Sequence, residues 1–350
     1  MPTSQPIRLL IVDDSATVRS VLRRYFEADS RFEVAGVAKD GQEALDLLPE
    51  LKPDVVTLDI EMPRLNGLET LPRLMQIRPT PVVMVSSLTT EGAAATLEAL
   101  ELGAIDFIPK PSSRLAPTED VLEKVVAAAG ARVRVVRRPS SEARRPSQIL
   151  SPAGTRWDPK LVVIGSSTGG PQALRMVVEG IPADLKVPVI IVQHMPPGFT
   201  KTLADRLDSL TPVPVAEASP GMPIEPGKIL VAPGDYHLTI SATGTVELSK
   251  APTEHGVRPA INVTLESAVE RRGRNVVFAI LTGMGVDGTR GAELVNAAGG
   301  YVIGQDEATC TVYGMPRSVA DAGLTNEVRP LSQITDAVMN QCRVAARRTA

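Results

Sequence analysis

The chain has 350 residues, with 37 Lys and Arg against 40 Asp and Glu, a formal net charge of −3. At about 100–200 residues per domain this length predicts two domains, and the near-balanced charge argues against wholesale electrostatic binding to nucleic acid or anionic lipid. No apolar run approaches the roughly 18 residues that span a bilayer, the opening residues do not read as a signal peptide, and Cys310 and Cys342 make no disulfide framework, so the expected compartment is the cytoplasm.

In chain order, the first third alternates apolar runs with helix-period stretches. Strands are predicted over Ile7–Asp14, Phe32–Lys39, Pro53–Ile60, Pro81–Ser87 and Asp106–Lys110, runs apolar enough to be buried on both faces. Between the first two, Val18, Val21, Leu22 and Tyr25 repeat with helical spacing. Gly41–Leu51, Leu65–Ile77, Glu91–Leu102 and Thr118–Ala131 read as further helices. Five strands alternating with helices predict a doubly wound, flavodoxin-like parallel sheet over residues 1–130.

Residues 131–158 are rich in Arg, Pro and Ser and read as an exposed linker rather than a basic arm, since no aromatics interleave. A second α/β series fills residues 159–350. Its predicted strands are Leu161–Ser166, Val187–Gln193, Val213–Ala218, Lys228–Ala232, Val276–Thr282 and Tyr301–Gln305. Tyr236–Ile240 and Thr245–Lys250 flank Ser241-Ala242-Thr243-Gly244 as a β-hairpin. Helices are predicted over Gly170–Glu179, Thr200–Asp208, Ile261–Arg272, Gly288–Ala297, Pro316–Ala322 and Leu331–Arg347.

Two sets of chemistry-bearing residues fall at the carboxyl ends of these strands, where open α/β sheets place their ligands. In the first, Asp13, Asp14 and Asp59 would repel one another and favour a hard cation such as Mg²⁺. Ser86 and Lys110 end the next two strands and add a hydroxyl and a positive charge, a set suited to forming an aspartyl phosphate. Val12-Asp13-Asp14-Ser15, Leu58-Asp59-Ile60-Glu61-Met62-Pro63, Gly67-Leu68, Val85-Ser86-Ser87 and Pro109-Lys110-Pro111 resemble the response-regulator receiver family. The resemblance implies Asp59 as phosphoacceptor, Asp13, Asp14 and Asp59 as Mg²⁺ ligands, Ser86 as switch hydroxyl and Lys110 as phosphate partner. Asn66 stands where many receivers carry Asp. Lys110–Pro111 is expected to be a cis bond, the inexpensive place to turn the chain away from Asp59.

In the second set, Gly165-Ser166-Ser167-Thr168-Gly169 matches the Gly-x-Ser-x-Gly nucleophile-elbow pattern, whereas neither phosphate-loop pattern is present. Of three histidines, His194 ends the next apolar run on the same sheet edge, and is preferred over His237 and His255 as the base. Asp287, after the strand at Val276–Thr282, is preferred over Asp306 as the acid that orients it. An ordinary helix cap is the alternative role for Asp287.

The order Ser…His…Asp differs from that of α/β-hydrolases. With Gly165–Pro171, Gln193-His194-Met195, Ala232-Pro233-Gly234-Asp235, Leu281–Gly288, Gln305–Cys310 and Tyr313-Gly314-Met315-Pro316-Arg317, it resembles the catalytic domain of the CheB protein-glutamate methylesterase family. With a receiver in front, the resemblance covers nearly the whole chain. It implies a phosphorylation-regulated serine hydrolase that demethylates glutamyl methyl esters on methyl-accepting chemotaxis receptors and deamidates glutamines. Ser167, His194 and Asp287 would form one hydrogen-bonded chain, with the N–H groups of Thr168 and Met284 at the oxyanion. Partners would be the receptors and a CheA-type histidine kinase, with no nucleic acid and no membrane insertion; Mg²⁺ would serve phosphorylation and no cofactor the hydrolysis. Asn262 stands where that family usually carries Asp, and Thr264-Leu265 where it carries Leu-Phe, in a segment expected to line the substrate side. A non-catalytic partner-binding module and a DNA-binding output are the competing readings. The second lacks a helix-turn-helix pattern. Docking of the receiver over Ser167 is expected to inhibit the unphosphorylated chain.

Overall fold

The computed structural model describes residues 5–87, 89–111, 119–131 and 160–344. The linker expected at 131–158 lies almost wholly outside them.

The N-terminal domain consists of β1 (Ile7–Val12), α1 (Ala16–Glu27), β2 (Phe32–Ala38), α2 (Gly41–Leu51), β3 (Val55–Asp59), α3 (Gly67–Ile77), β4 (Val82–Ser86), α4 (Thr90–Glu101), β5 (Asp106–Pro109) and α5 (Glu119–Ala129). Its parallel sheet has the order β2-β1-β3-β4-β5, so the direction of winding reverses between β1 and β3. β3 and β4 are buried at every position, which is why they read as unbroken apolar runs. Helix starts are set by side chains that accept orphan N–H groups: Ser15 for α1, Asp40 for α2 and Thr89 for α4. Asn66 caps α3 in a reciprocal capping box with Glu69, so an amide serves this position fully.

The C-terminal domain consists of β6 (Leu161–Ser166), α6 (Gly170–Glu179), β7 (Val189–Gln193), α7 (Phe199–Asp208), β8 (Val215–Glu217), β9 (Ile229–Val231), the hairpin β10 (His237–Ile240) and β11 (Val246–Ser249), α8 (Ile261–Arg272), β12 (Val276–Ile280), α9 (Thr289–Ala297), β13 (Tyr301–Gln305), α10 (Met315–Asp321), β14 (Glu327–Arg329) and α11 (Leu331–Val344). Seven strands form one parallel sheet, β14-β13-β12-β6-β7-β9-β8. The chain winds outward from β6 through β7, then returns to lay β12 on the other side of β6. The carboxyl ends of β6, β7 and β12 therefore meet at a topological switch point. β14 was not foreseen: Glu-Val-Arg carries no apolar run, and its pairing to β13 alone at the sheet edge creates the strand.

The two domains pack directly. One apolar cluster runs from Leu58, Leu74 and Met84 of the first domain into Val162, Leu174 and Leu203 of the second. Phe107 of β5 stacks on Phe199 of α7 with centroids 4.6 Å apart and planes 3° from parallel. Glu101 at the end of α4 pairs with Arg206 of α7. Gln172 of α6 donates to the carbonyls of Leu100 and Ala104, the latter at 3.2 Å.

Candidate active site and acidic cluster

At the N-terminal switch point, Asp13 follows β1 and Asp59 ends β3, and both are buried, whereas Asp14 is exposed. Carboxylate oxygens of the three lie within 4.8 Å of one another. Asp13 Oδ1 accepts from Ser15 N (2.9 Å), but its buried Oδ2 has no partner. Lys110 Nζ donates to Asp59 Oδ2 at 2.8 Å. Burial raises the Asp59 carboxyl to about 6; the Asp13 charge adds to this, and Lys110 opposes it. Burial likewise raises Asp13. A buried, orphaned carboxylate oxygen beside two further carboxylates is the donor set a hard divalent cation requires, so these residues fit Mg²⁺.

One expectation about this site is corrected. Lys110 reaches Asp59 without a cis bond: among the described residues the cis peptide is Arg258–Pro259, and Lys110–Pro111 is trans. Ser86 ends β4 as expected, and its hydroxyl faces α4, where it accepts from Thr96 Oγ1 (2.7 Å) and lies 3.4 Å from Gly92 O.

At the C-terminal switch point, Ser167 follows β6 and donates its backbone N–H to Thr282 O (3.0 Å). Its carbonyl accepts from Gly170 N (2.7 Å) and Gln193 Nε2 (3.0 Å). The left-handed residue of this turn is Gly169 (φ 75°), not the serine, so the turn lacks the strained serine of a true nucleophile elbow. A Cβ on Gly169 would fall 2.5 Å from Thr311 Oγ1, and one on Gly283 2.8 Å from Ser167 Cβ. Both glycines let the loops after β12 and β13 close on the serine.

His194 follows β7, with its N–H on Ser166 O (3.2 Å) and its side chain only 9% exposed. Its Nε2 meets Asp287 Oδ2 at 2.8 Å. Asp287 is buried; Oδ2 also accepts from Ile261 N (2.7 Å), and Oδ1 accepts from Asn262 N (3.0 Å) and Gly288 N (2.9 Å). The carboxylate thus caps α8 from another segment; the residue preceding α8, Ala260, offers no side-chain cap. Burial opposes its charge, but His194 and these N–H donors outweigh that and hold its carboxyl below the ordinary value. The expected three-member chain is formed only in its second half. Among the described residues no hydrogen bond joins Ser167 Oγ to His194, a gap common before substrate binds.

Thr168 and Met284 make no hydrogen bond through their backbone N–H groups among the described residues. The Thr168 hydroxyl crosses the domain boundary and donates to Asp106 Oδ2 of β5. Nothing in the sequence pattern links residues 62 positions apart, so this contact was missed. Gln193 accepts from Ser166 Oγ (2.6 Å) through Oε1 while its Nε2 holds Ser167 O, so it clamps the turn that carries Ser167. His237 is buried with Nε2 on Pro252 O and Nδ1 accepting from Ala260 N, a packing role. The Asn262 segment is corrected too: Asn262, Thr264 and Leu265 are buried behind Asp287 and do not line the substrate side.

Comparison with known proteins decides the lineage. The CheB methylesterase family model matches residues 162–338, and the response regulator receiver domain model matches residues 9–121. The chain belongs to the CheB methylesterase family. A CheB relative from Symbiobacterium thermophilum, named protein-glutamate methylesterase/protein-glutamine glutaminase, is 48% identical, covering 95% of this chain and 96% of that one. A CheB relative of the same name from Thermotoga maritima is 46% identical over 95% and 98% of the two chains. The crystal structure of the Thermotoga maritima CheB methylesterase catalytic domain superposes with a TM-score of 0.51 at 45% identity, covering 53% of this chain and 99% of that chain. A receiver domain with a five-stranded parallel sheet, followed by a CheB catalytic domain with its own parallel sheet, is thereby established for this chain.

Proposed function

We propose that the chain hydrolyses glutamyl γ-methyl esters, and the γ-amides of glutamine, on methyl-accepting chemotaxis receptors, under control of a phosphorylated receiver. The observation that carries this reading is the bonded His194–Asp287 pair beside Ser167 at the switch point. With Nε2–H donated to Asp287, Nδ1 is left to take the Ser167 proton, the reverse ring polarity to the serine-protease template. Ser167 Oγ attacks the γ-carbonyl carbon as His194 removes its proton. The N–H groups of Thr168 and Met284, uncommitted elsewhere, face the developing oxyanion. His194 returns the proton to the leaving oxygen, methanol departs, and water deprotonated by His194 releases the glutamate side chain. An amide substrate passes through the same steps and releases ammonia.

These steps use groups of the chain itself and water, so hydrolysis is expected to need no metal. Asp13, Asp14 and Asp59 would hold Mg²⁺, which supplies charge neutralisation for phosphoryl transfer onto Asp59 from a CheA-type kinase. The proposed setting is the cytoplasm, consistent with the finding that no described helix is long and apolar enough to cross a membrane.

The direct docking of the first domain supports inhibition by the unphosphorylated receiver. Val126 and Ala127 of α5, with Gly130 just after it, line a cleft of about 240 Å³ together with Met284, Thr311 and Arg317, and Asp106 holds Thr168. A receptor helix needs the same space. The test is methanol release from methylated receptor membranes by the full chain, with and without a phosphodonor. Release that EDTA leaves intact, that a phosphodonor with Mg²⁺ increases and that Ser167→Ala abolishes supports the reading. Release by Ser167→Ala at the wild-type rate rejects it.

A further inference from the structure

We propose that Asn262 is the residue that positions Asp287, and that its neutral amide is matched to the carboxylate of Glu254; this rests on the triad reading above. Asn262 is the second residue of α8 and is fully buried. It touches Asp287 and the segment after it by three separate bonds. Its backbone N–H donates to Asp287 Oδ1 (3.0 Å), and its Oδ1 accepts from Gly288 N (3.0 Å) and Gly291 N (2.8 Å). Gly288, the residue before α9, has no side chain to cap that helix, so the Asn262 carbonyl oxygen takes over that task. One side chain therefore ties the N-terminus of α8 to the N-terminus of α9, with Asp287 held between them.

The other end of the amide fixes its chemistry. Nδ2 donates to Glu254 Oε1 at 2.8 Å. The Glu254 carboxylate is itself clamped by Arg290 of α9, at 3.0 and 3.2 Å, and Arg290 also reaches Glu266 of α8 at 3.1 Å. His255 lies 3.9 Å from Glu254, and His237 supports Ala260 just ahead of α8. A carboxylate at position 262 keeps both acceptor roles toward Gly288 and Gly291 but loses the donor that Asn262 turns to Glu254. It sets a second negative oxygen against Glu254 and another beside Asp287, and like charges at that range repel strongly. The Asn–Glu arrangement carries one negative charge, and exchanging the two roles, Asp at 262 with Gln at 254, keeps that charge and restores a donor–acceptor match.

The experiment is a double-mutant cycle in the full chain, read as kcat, KM and the pH profile of kcat/KM for methanol release, with folding followed by circular dichroism. N262D is expected to lower kcat by about 10²-fold, the cost of a small misplacement of a catalytic group, with KM little changed. The added charge near the imidazolium moves the acid limb of the profile to higher pH. N262D/E254Q is expected to recover at least tenfold of that loss, and E254Q completes the cycle. Equal impairment of N262D and N262D/E254Q, or N262D at wild-type rate with an unmoved acid limb, overturns the proposal. Should N262D fail to fold, recovery of folding and rate in N262D/E254Q supports the match, and failure of both overturns it. Ser167→Ala separates the two readings: if it stays active the triad is wrong, whereas an inactive Ser167→Ala with an unaffected N262D rejects only the role of Asn262.

Discussion

Ser167, His194 and Asp287 are contributed by three non-consecutive loops, and each is fixed by main-chain bonds before any side chain meets another. Removing one triad member in template hydrolases costs about 10⁴–10⁶-fold, and the same loss in kcat is expected for Ser167→Ala, measured by methanol release. Asp287→Asn should cost several orders of magnitude as well, because an amide favours the wrong histidine tautomer. Asp287 also bears on stability. Its folded carboxyl lies below its unfolded value, so its stabilisation is present at neutral pH and is lost as pH falls below about 4 through the lowered folded value. Thermal unfolding of wild type and Asp287→Asn should therefore converge under acid and diverge at pH 7. A constant gap across that range would show that the carboxylate charge does not matter to the fold.

At the level of single elements, the loop after each strand decides what the strand end can do. β1, β3 and β5 deliver Asp13, Asp59 and Lys110 to one crevice, and burial makes that crevice costly to charge. The Asp59 carboxyl sits at about 6, above its unfolded value near 4, so its contribution to stability is full below about pH 4 and is lost as pH rises through 6. In EDTA the N-terminal domain is expected to lose unfolding temperature between pH 4 and 7, and Mg²⁺ at pH 7 should restore several degrees. Asp59→Asn should flatten the pH dependence and shrink the Mg²⁺ effect, both readable by scanning calorimetry. The turn after β6 depends on Gly169 in the same way. A side chain there meets Thr311 and a left-handed backbone, so Gly169→Val should displace Ser167 and cut kcat by 10²-fold or more, in line with about 1 Å of misplacement.

For the whole molecule, the decisive feature is that the domains share an apolar seam along α4 and β5. A phosphate on Asp59, as proposed, would lie one strand from Ser86 and two from Phe107, so a rearrangement that turns Ser86 away from Thr96 would reach the seam directly. A change of about 1.4 kcal/mol in docking shifts the open fraction tenfold. Fragment 151–350 is therefore expected to be faster than the unphosphorylated full chain. Glu101→Lys, which sets a positive charge against Arg206, should raise basal methanol release without a phosphodonor. Asp59→Asn should block activation and leave the basal rate intact. Equal rates for fragment and full chain would reject a simple lid.

Local patterns in the sequence determined the two parallel sheets, most helix boundaries, and the placement of Asp13, Asp59, Lys110, Ser167, His194 and Asp287 at strand ends. Those properties follow from apolar runs, glycine turns and capping residues, which act over a few positions. The family resemblance added the pairing of the two domains and the roles at each site. Tertiary structure alone decided the rest. β14 exists because β13 offers it an edge. Asn262 lies behind Asp287 because α8 and α9 start side by side. Ser86 faces Thr96, and Thr168 meets Asp106 across the domain seam. In the Asn262, Ser86 and Thr168 contacts a polar side chain is buried and must find a partner brought near by packing rather than by chain neighbourhood, and that choice leaves no periodic trace in the sequence.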